Sequence, residues 1–230
     1  MPASFIADAI ICARNSAATL PQVLEQLPWK VLRSVVVVDR DSTDGSAGLA
    51  RDAGCQVIRE SGGGYGAACH AAIGHLESLP RPPNAVVFVA ADGTDPAAEI
   101  DALLEPIRDG RAELVIGAKR NNEKPVGDRM AIGLIRAIYR HRFGVMSGFR
   151  GIRFPALVAL AVADRGSGWD AEMQVKAVKL GLQIAEVEVG VEVGKSMKRR
   201  RKRRSKPAVR VRLERSARMV FRILRHSTTR

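Results

Sequence analysis

The run Ser34-Val-Val-Val-Val-Asp39 limits the architecture of this chain more than any other feature. Four consecutive β-branched residues favour a pleated strand over a helix, and a strand apolar on both faces needs cover on both faces. That pattern belongs to the interior of a parallel sheet held between two layers of helices. The surrounding sequence agrees, because strand-like and helix-like stretches alternate with short connections. Residues 5–13, 55–59, 85–91, 113–117 and 183–190 read as further strands. Helices are expected at 17–26, 46–53 (capped by Ser42 or Asp44), from the glycines at 62–66 to about 78, 96–108, 126–142, 155–163 and 170–180. Strict alternation of this kind predicts an α/β fold with a doubly wound, mostly parallel sheet and helices on both faces.

At 230 residues the chain has room for one domain with an appendage, and charge shows where the appendage begins. Residues 195–230 hold sixteen Lys and Arg and one Glu, a net of +15. The other 194 residues carry 21 cationic and 23 acidic side chains, a net of −2. The expected division is therefore a near-neutral domain at 1–194 and a basic linker with a terminal amphipathic helix at 195–230. Aromatic residues are 4% of the chain, too few for the stacking platforms of single-strand nucleic-acid binders. No apolar run reaches the length that spans a bilayer, and no basic-then-apolar leader opens the chain. Three cysteines without a Cys-x-x-Cys spacing fit a reducing compartment, so a cytoplasmic location is expected. His70 and His75 are five apart, the wrong spacing for a helical zinc pair.

Ligands of open α/β sheets bind beyond the carboxyl ends of the strands. Three such ends carry polar clusters here: Cys12-Ala-Arg-Asn-Ser16, Asp39-Arg-Asp-Ser-Thr-Asp-Gly45 and Ala90-Ala-Asp-Gly-Thr-Asp95. Each has a plainer reading on its own. Ser42-Thr-Asp-Gly45 makes a good turn and helix cap, and Asp92-Gly93 a good turn. The glycines at 62–66 lack both the Gly-x-Gly-x-x-Gly spacing and a following Lys-Ser/Thr. Together, the three clusters supply carboxylates, hydroxyls and backbone donors to one crevice. That chemistry suits a nucleotide whose diphosphate is held through Mg²⁺ or Mn²⁺.

These segments, in this order, resemble the family 2 inverting glycosyltransferases of glycosyltransferase A fold, above all the polyprenyl-phosphate mannosyl- and glucosyltransferases. Ile11-Cys-Ala-Arg-Asn15 is similar to their Ile-Pro-Ala-Tyr/Arg-Asn, and Val37-Val-Asp-Arg-Asp-Ser-Thr-Asp-Gly45 to Val-Val-Asp-Asp-Gly-Ser-Thr-Asp-Gly. Val87–Pro96 is similar to Phe-Leu-Asp-Ala-Asp-Gly-x-x-Asp-Pro, and Leu114-Val-Ile-Gly-Ala-Lys-Arg120 to Leu-Val-Ile-Gly-Ser-Arg. Gly63–Ala68, Ser147-Gly-Phe-Arg150, the 172–184 stretch and Gly194-Lys-Ser196 extend the likeness over about residues 5–198. The resemblance implies sugar transfer from a UDP- or GDP-sugar to a polyprenyl-phosphate or other lipid-linked acceptor. Its donor site would comprise Ala13, Arg14, Asn15, Asp39, Asp41, Gly66, Ala91 and Asp92. Asp39 would bind base or ribose, and Asp92 would be the catalytic metal ligand for Mg²⁺ or Mn²⁺. Lys119, Arg120 and Arg150 would hold the anionic group of the acceptor.

The chain departs from the pattern at Cys12, Ser16, Arg40 and Asp41, and Ala90 stands in place of the first acid of Asp-x-Asp. A catalytically degenerate homologue that binds membrane or nucleic acid therefore stays open as the alternative. Asp95 precedes a helix-starting proline and is expected to cap that helix. Asp170 and Glu172 are the candidate general bases, although a phosphate acceptor, already ionised near neutral pH, needs none. A sugar-phosphate nucleotidyltransferase is disfavoured, because Ala13-Arg-Asn-Ser16 replaces the glycine-rich loop such enzymes place after the first strand.

The tail has its own chemistry. Lys198-Arg-Arg-Arg-Lys-Arg-Arg204 is seven successive cations. Beyond it, Arg215, Arg218, Arg222 and Arg225 fall on one helical face and Val209, Leu213, Ala217, Val220 and Leu224 on another. A cationic flank beside an apolar stripe is the signature of a helix lying in a membrane interface. The expected partner is an anionic membrane surface at the inner face, ahead of nucleic acid, which has no use for the helical periodicity. Helix 126–142, with Arg129, Arg136, Arg140 and Arg142 among isoleucines and leucines, is a candidate for the same surface.

Overall fold

Val35, Val36, Val37 and Val38 are all buried, and they divide between two cores. Val35 and Val37 pack into one, Val36 and Val38 into the other, as the twofold alternation of a strand demands. A computed structural model of the protein describes residues 5–119 and 147–190. The strands are β1 (Ala7–Ala13), β2 (Ser34–Asp39), β3 (Gln56–Arg59), β4 (Ala85–Ala90), β5 (Leu114–Lys119), β6 (Arg150–Arg153) and β7 (Ile184–Val189). They form one sheet in the order β3-β2-β1-β4-β6-β5-β7. Every pairing is parallel except those of β6, which runs antiparallel to both β4 and β5.

The helices are α1 (Leu20–Glu25), α2 (Ser46–Asp52), α3 (Tyr65–Glu77), α4 (Ile100–Arg108), α5 (Phe154–Ala159) and α6 (Trp169–Lys179). Leu20, Val23 and Leu24 of α1, Ala50 of α2 and Leu103, Leu104 and Ile107 of α4 cover one face of the sheet. Cys69, Ala72 and Leu76 of α3, Phe154 and Leu157 of α5, and Trp169 and Met173 of α6 cover the other. The doubly wound arrangement is the expected one, with two adjustments. The helix after Pro96 begins as a 3₁₀ turn at Ala97–Glu99 and becomes α-helical only at Ile100. The second is β6, which the alternation did not foresee. Its Arg-Gly-Ile-Arg sequence is extended because β4 and β5 flank it on either side.

At the amino edge of the sheet, the fully buried Asp8 is ion-paired with Arg33, whose Nε donates at 3.1 Å to one carboxylate oxygen. The three cysteines are free thiols, and burial pushes that of Cys55 up to about 11. No described helix is long and apolar enough to cross a membrane. The expected helix at 126–142 and the tail at 195–230 lie outside the described residues.

Candidate active site

With β6 the exception, the strands end together at one edge, so the loops after β1, β2 and β4 meet there. The first two are stitched together by side chains. Ser42 Oγ accepts the Asn15 N–H at 3.0 Å, and Asn15 Oδ1 accepts that of Thr43 at 2.9 Å. Ser46 Oγ accepts the Ser16 N–H at 2.8 Å, and Asp44 accepts that of Ala17 at 2.9 Å. Asn15 and Asp41 both adopt left-handed backbone, at φ 49° and 50°, a conformation that Asn and Asp tolerate better than most residues. The Ser42-Thr-Asp-Gly45 turn thus does more than start α2. That helix is capped by Gly45 at φ 84°, while Asp44 bridges the N–H groups of Ala17 and Ser46.

Asp39 ends β2 with only 2% of its surface exposed. One carboxylate oxygen accepts a long 3.4 Å bond from the Ser42 N–H, and the other, Oδ1, is buried with no hydrogen-bond partner among the described residues. The next residue, Arg40, has a buried Nε–H that is likewise unpartnered. Two orphaned groups of opposite hydrogen-bonding sense on consecutive residues are costly, and a ligand supplying the complementary groups would relieve the cost. Asp41 differs: its oxygens take the Ser61 hydroxyl at 2.8 Å and the Gly62 N–H at 3.2 Å, tying the β2 loop to the β3 loop. The Ser61 bond, then the Gly62 bond, hold its carboxyl below the ordinary carboxylate range. Arg14 is exposed on the rim, whereas Ala13 and Ala91 are buried and offer only backbone.

Beyond β4, Asp92 is exposed, and its Oδ1 accepts the N–H (3.1 Å) and hydroxyl (2.7 Å) of Thr94. Thr19 Oγ1 donates to the Ala91 carbonyl at 2.8 Å, pinning this loop to the entry of α1. The Asp95 carboxylate turns back into the protein and accepts the Ala90 N–H at 2.8 Å, a role beyond the capping expected of it. Among the described residues no three His, Cys, Asp or Glu side chains cluster as a metal site. The single carboxylate of Asp92 still fits Mg²⁺ or Mn²⁺, since such ions are commonly held by one or two carboxylates together with substrate phosphates and water.

The remaining sites predicted from sequence have other surroundings. Gly66 is a packing site: its N–H donates to the Gly166 carbonyl at 2.9 Å, and a Cβ there would lie 2.1 Å from the Asp164 carbonyl oxygen. Ala67 likewise donates to the Arg165 carbonyl, so the start of α3 is occupied by the 164–166 backbone rather than open to a phosphate. Arg150 is fully buried between the rings of Phe88 and Trp169, 5.2 Å from each centroid, and its guanidinium is ion-paired with Asp170. It faces protein here, and any help it gives an acceptor passes through Asp170, which is 38% exposed. Lys119 closes β5 at the same sheet edge, and Arg120 lies outside the described residues. Glu172 is buried, accepting the N–H groups of Ala163 and Asp164 at 2.9 Å each and pairing with Lys176. It holds the loop that seats on Gly66. Sequence reasoning passed over Thr19, the orphaned Nε–H of Arg40 and the inward turn of Asp95; Arg40 and Asp95 stood there only as members of polar clusters.

The sequence pattern of glycosyl transferase family 2 matches residues 8–157. An undecaprenyl-phosphate mannosyltransferase of Micrococcus luteus is 31% identical over 200 residues, 78% of this chain and 81% of that protein. An uncharacterized glycosyltransferase of Mycobacterium tuberculosis is 33% identical over 186 residues, 76% and 80% of the two chains. Glycosyltransferase AglJ of Haloferax volcanii is 29% identical over 182 residues, but this chain spans only 58% of its length. Among solved structures, glucosyl-3-phosphoglycerate synthase of Mycobacterium tuberculosis, in complex with Mn²⁺, UDP and phosphoglyceric acid, superposes with a TM-score of 0.78. The alignment covers 98% of this chain and 80% of that one at 20% identity, and shows the shared glycosyltransferase A fold. With a family match across most of the domain, and relatives a third identical along most of both lengths, the chain belongs to glycosyl transferase family 2 and is a glycosyltransferase.

Proposed function

We propose that this glycosyltransferase moves a sugar, with inversion, from a nucleoside-diphosphate sugar to a polyprenyl-phosphate or other lipid-linked phosphate at a membrane surface. The observation that carries the donor side is the orphaned pair at the end of β2. Asp39 Oδ1 offers an acceptor and Arg40 Nε–H a donor, the two senses that the polar edge of a nucleobase answers. Asn15 and Asp41, both in left-handed backbone, flank the end of β2, with Arg14 as an exposed cation beside them. Asp92 would hold Mg²⁺ or Mn²⁺. When bound, the ion neutralises charge that develops on the departing diphosphate.

On the acceptor side, the two carboxylates suited to remove a proton are otherwise engaged. Glu172 is buried against backbone amides and Lys176, and Asp170 is paired with Arg150. This favours an acceptor that arrives ionised, as a phosphate does. The Micrococcus relative, named for undecaprenyl phosphate, supports the same choice. Binding of UDP and of GDP, each with and without Mn²⁺, tests the reading by calorimetry. One of the two nucleotides is expected to bind, and Mn²⁺ to tighten it. Asp92→Asn is expected to weaken the Mn²⁺ complex about tenfold, towards the metal-free level, because an amide is a poor ligand for a hard cation. No binding of either nucleotide would favour the degenerate homologue, the reading that Ala90 keeps in play.

The membrane side of the proposal rests on the tail and on where it leaves the fold. β7 pairs with β5 up to Val189 opposite Lys119, at the carboxyl edge, so the chain departs towards its basic segment from the same edge as the site. Deleting residues 195–230 is expected to abolish flotation with anionic vesicles and to leave nucleotide binding within twofold. Retention of that nucleotide binding alongside lost binding to RNA and DNA, with vesicle binding unchanged, would reject the membrane role.

A further inference from the structure

The loop that carries Asp92 is fastened at two points the chemistry does not use. Asp95, 5% exposed, accepts the Ala90 N–H at 2.8 Å, closing a ring of backbone around Ala90–Asp95. Thr19 holds the Ala91 carbonyl from the other side at 2.8 Å. Inside this clasp Gly93 takes φ 70°, and Thr94 fixes the Asp92 carboxylate through its N–H and hydroxyl. Ala90 brings no side-chain donor or acceptor of its own, so the path of the loop depends on these bonds. We infer that Asp95 is a positioning residue for the metal–diphosphate end of the donor site. Its carboxylate stays off the ligand and sets the backbone from which Asp92 projects. A carboxylate buried against a backbone amide suits that task, because a charge-assisted bond is short and strongly directional. Small displacements of a ligating group are costly: a shift of about 1 Å is enough to lower function by orders of magnitude.

The inference rests on the proposed donor site, and the test separates the two. The probes are the tighter of UDP and GDP with Mn²⁺, and the corresponding nucleoside monophosphate without metal, titrated into wild type, Asp95→Asn, Asp95→Ala and Thr19→Val. Asp95→Ala is expected to bind the Mn²⁺–diphosphate at least about tenfold more weakly, with monophosphate affinity within twofold of wild type. Asp95→Asn keeps a carbonyl oxygen able to accept the Ala90 N–H and is expected to recover most of that loss. Thr19→Val, isosteric and acting on the Ala91 carbonyl instead of the Ala90 N–H, is expected to shift in the same direction by a smaller factor, and it carries the test if Asp95→Ala does not fold. Equal weakening of both probes would make Asp95 merely structural and overturn the inference. So would unchanged Mn²⁺–diphosphate affinity in Asp95→Ala or, if that variant does not fold, in Thr19→Val. If wild type binds neither diphosphate, the donor site itself is rejected and the positioning role falls with it.

Discussion

Replacing Asp39 by alanine is expected to lower nucleoside-diphosphate affinity roughly 10- to 100-fold, the range for a lost hydrogen bond to a charged group. The loss should fall equally on the diphosphate and the monophosphate, with and without Mn²⁺, because Asp39 stands at the end of β2 and Asp92 at the far side of β1, beyond β4. Stability should change little or rise, since the substitution removes a buried carboxylate oxygen that no group among the described residues satisfies. Urea denaturation beside calorimetry reads both quantities. Asp41→Ala is the internal comparison. Both Asp41 oxygens serve Ser61 and Gly62, so its removal loosens a loop and should weaken nucleotide binding by a smaller factor. An Asp39→Ala protein that binds nucleotide as wild type does would remove the β2 end from the donor site.

Gly66→Ala is expected to destabilise the fold by about 3 kcal/mol, at the upper end of overpacking costs. The new Cβ would meet the Asp164 carbonyl oxygen at 2.1 Å and the Arg165 Cα at 2.9 Å, backbone atoms that have no rotamer to yield with. Gly74→Ala supplies the contrast from the same helix. A Cβ there meets nothing within 4 Å, and alanine in a helix interior is worth about 1 kcal/mol over glycine. Thermal or urea unfolding of the two variants should therefore move in opposite directions. If Gly66→Ala is tolerated, the seat of the 164–166 loop on α3 is wrong. Its tolerance together with lost nucleotide affinity would return Gly66 to the donor site.

What was legible in the sequence follows a physical rule. The valines of β2 announce their environment because burial on both faces needs an unbroken apolar run, and that is a local property. The loops after β1, β2 and β4 were legible for the same reason, as polar clusters directly following such runs. Arg150 was not. Its spacing gives no hint that Phe88, 62 positions earlier, and Trp169 and Asp170, about twenty positions later, enclose it. A cation in sequence looks solvated until the groups that neutralise it are brought together. Gly66 misled in a related way, since a glycine needed for close backbone approach looks the same whether the approaching group is a phosphate or another loop. Glu172, a candidate base by sequence, sits in the first turn of α6 and also anchors a loop whose amide donors lie eight and nine residues before it.

The inserted strand also fixes an order of assembly. β3, β2, β1 and β4 lie side by side, and all four have been made by residue 90, so this half of the sheet has its partners early. β5 is different, because both of its neighbours, β6 and β7, come later in the chain. On a ribosome it must wait for residues 150–153 and then 184–189. Until β6 arrives, β4 presents Ala-Val-Val-Phe-Val-Ala along an unpaired edge, the kind of apolar, uncharged strand that recruits other chains. Pairing across 62 to 68 residues makes closure slow relative to local steps. The half that is built first holds the loops proposed to bind nucleotide, and the half that is built last covers the edge that would otherwise recruit other chains.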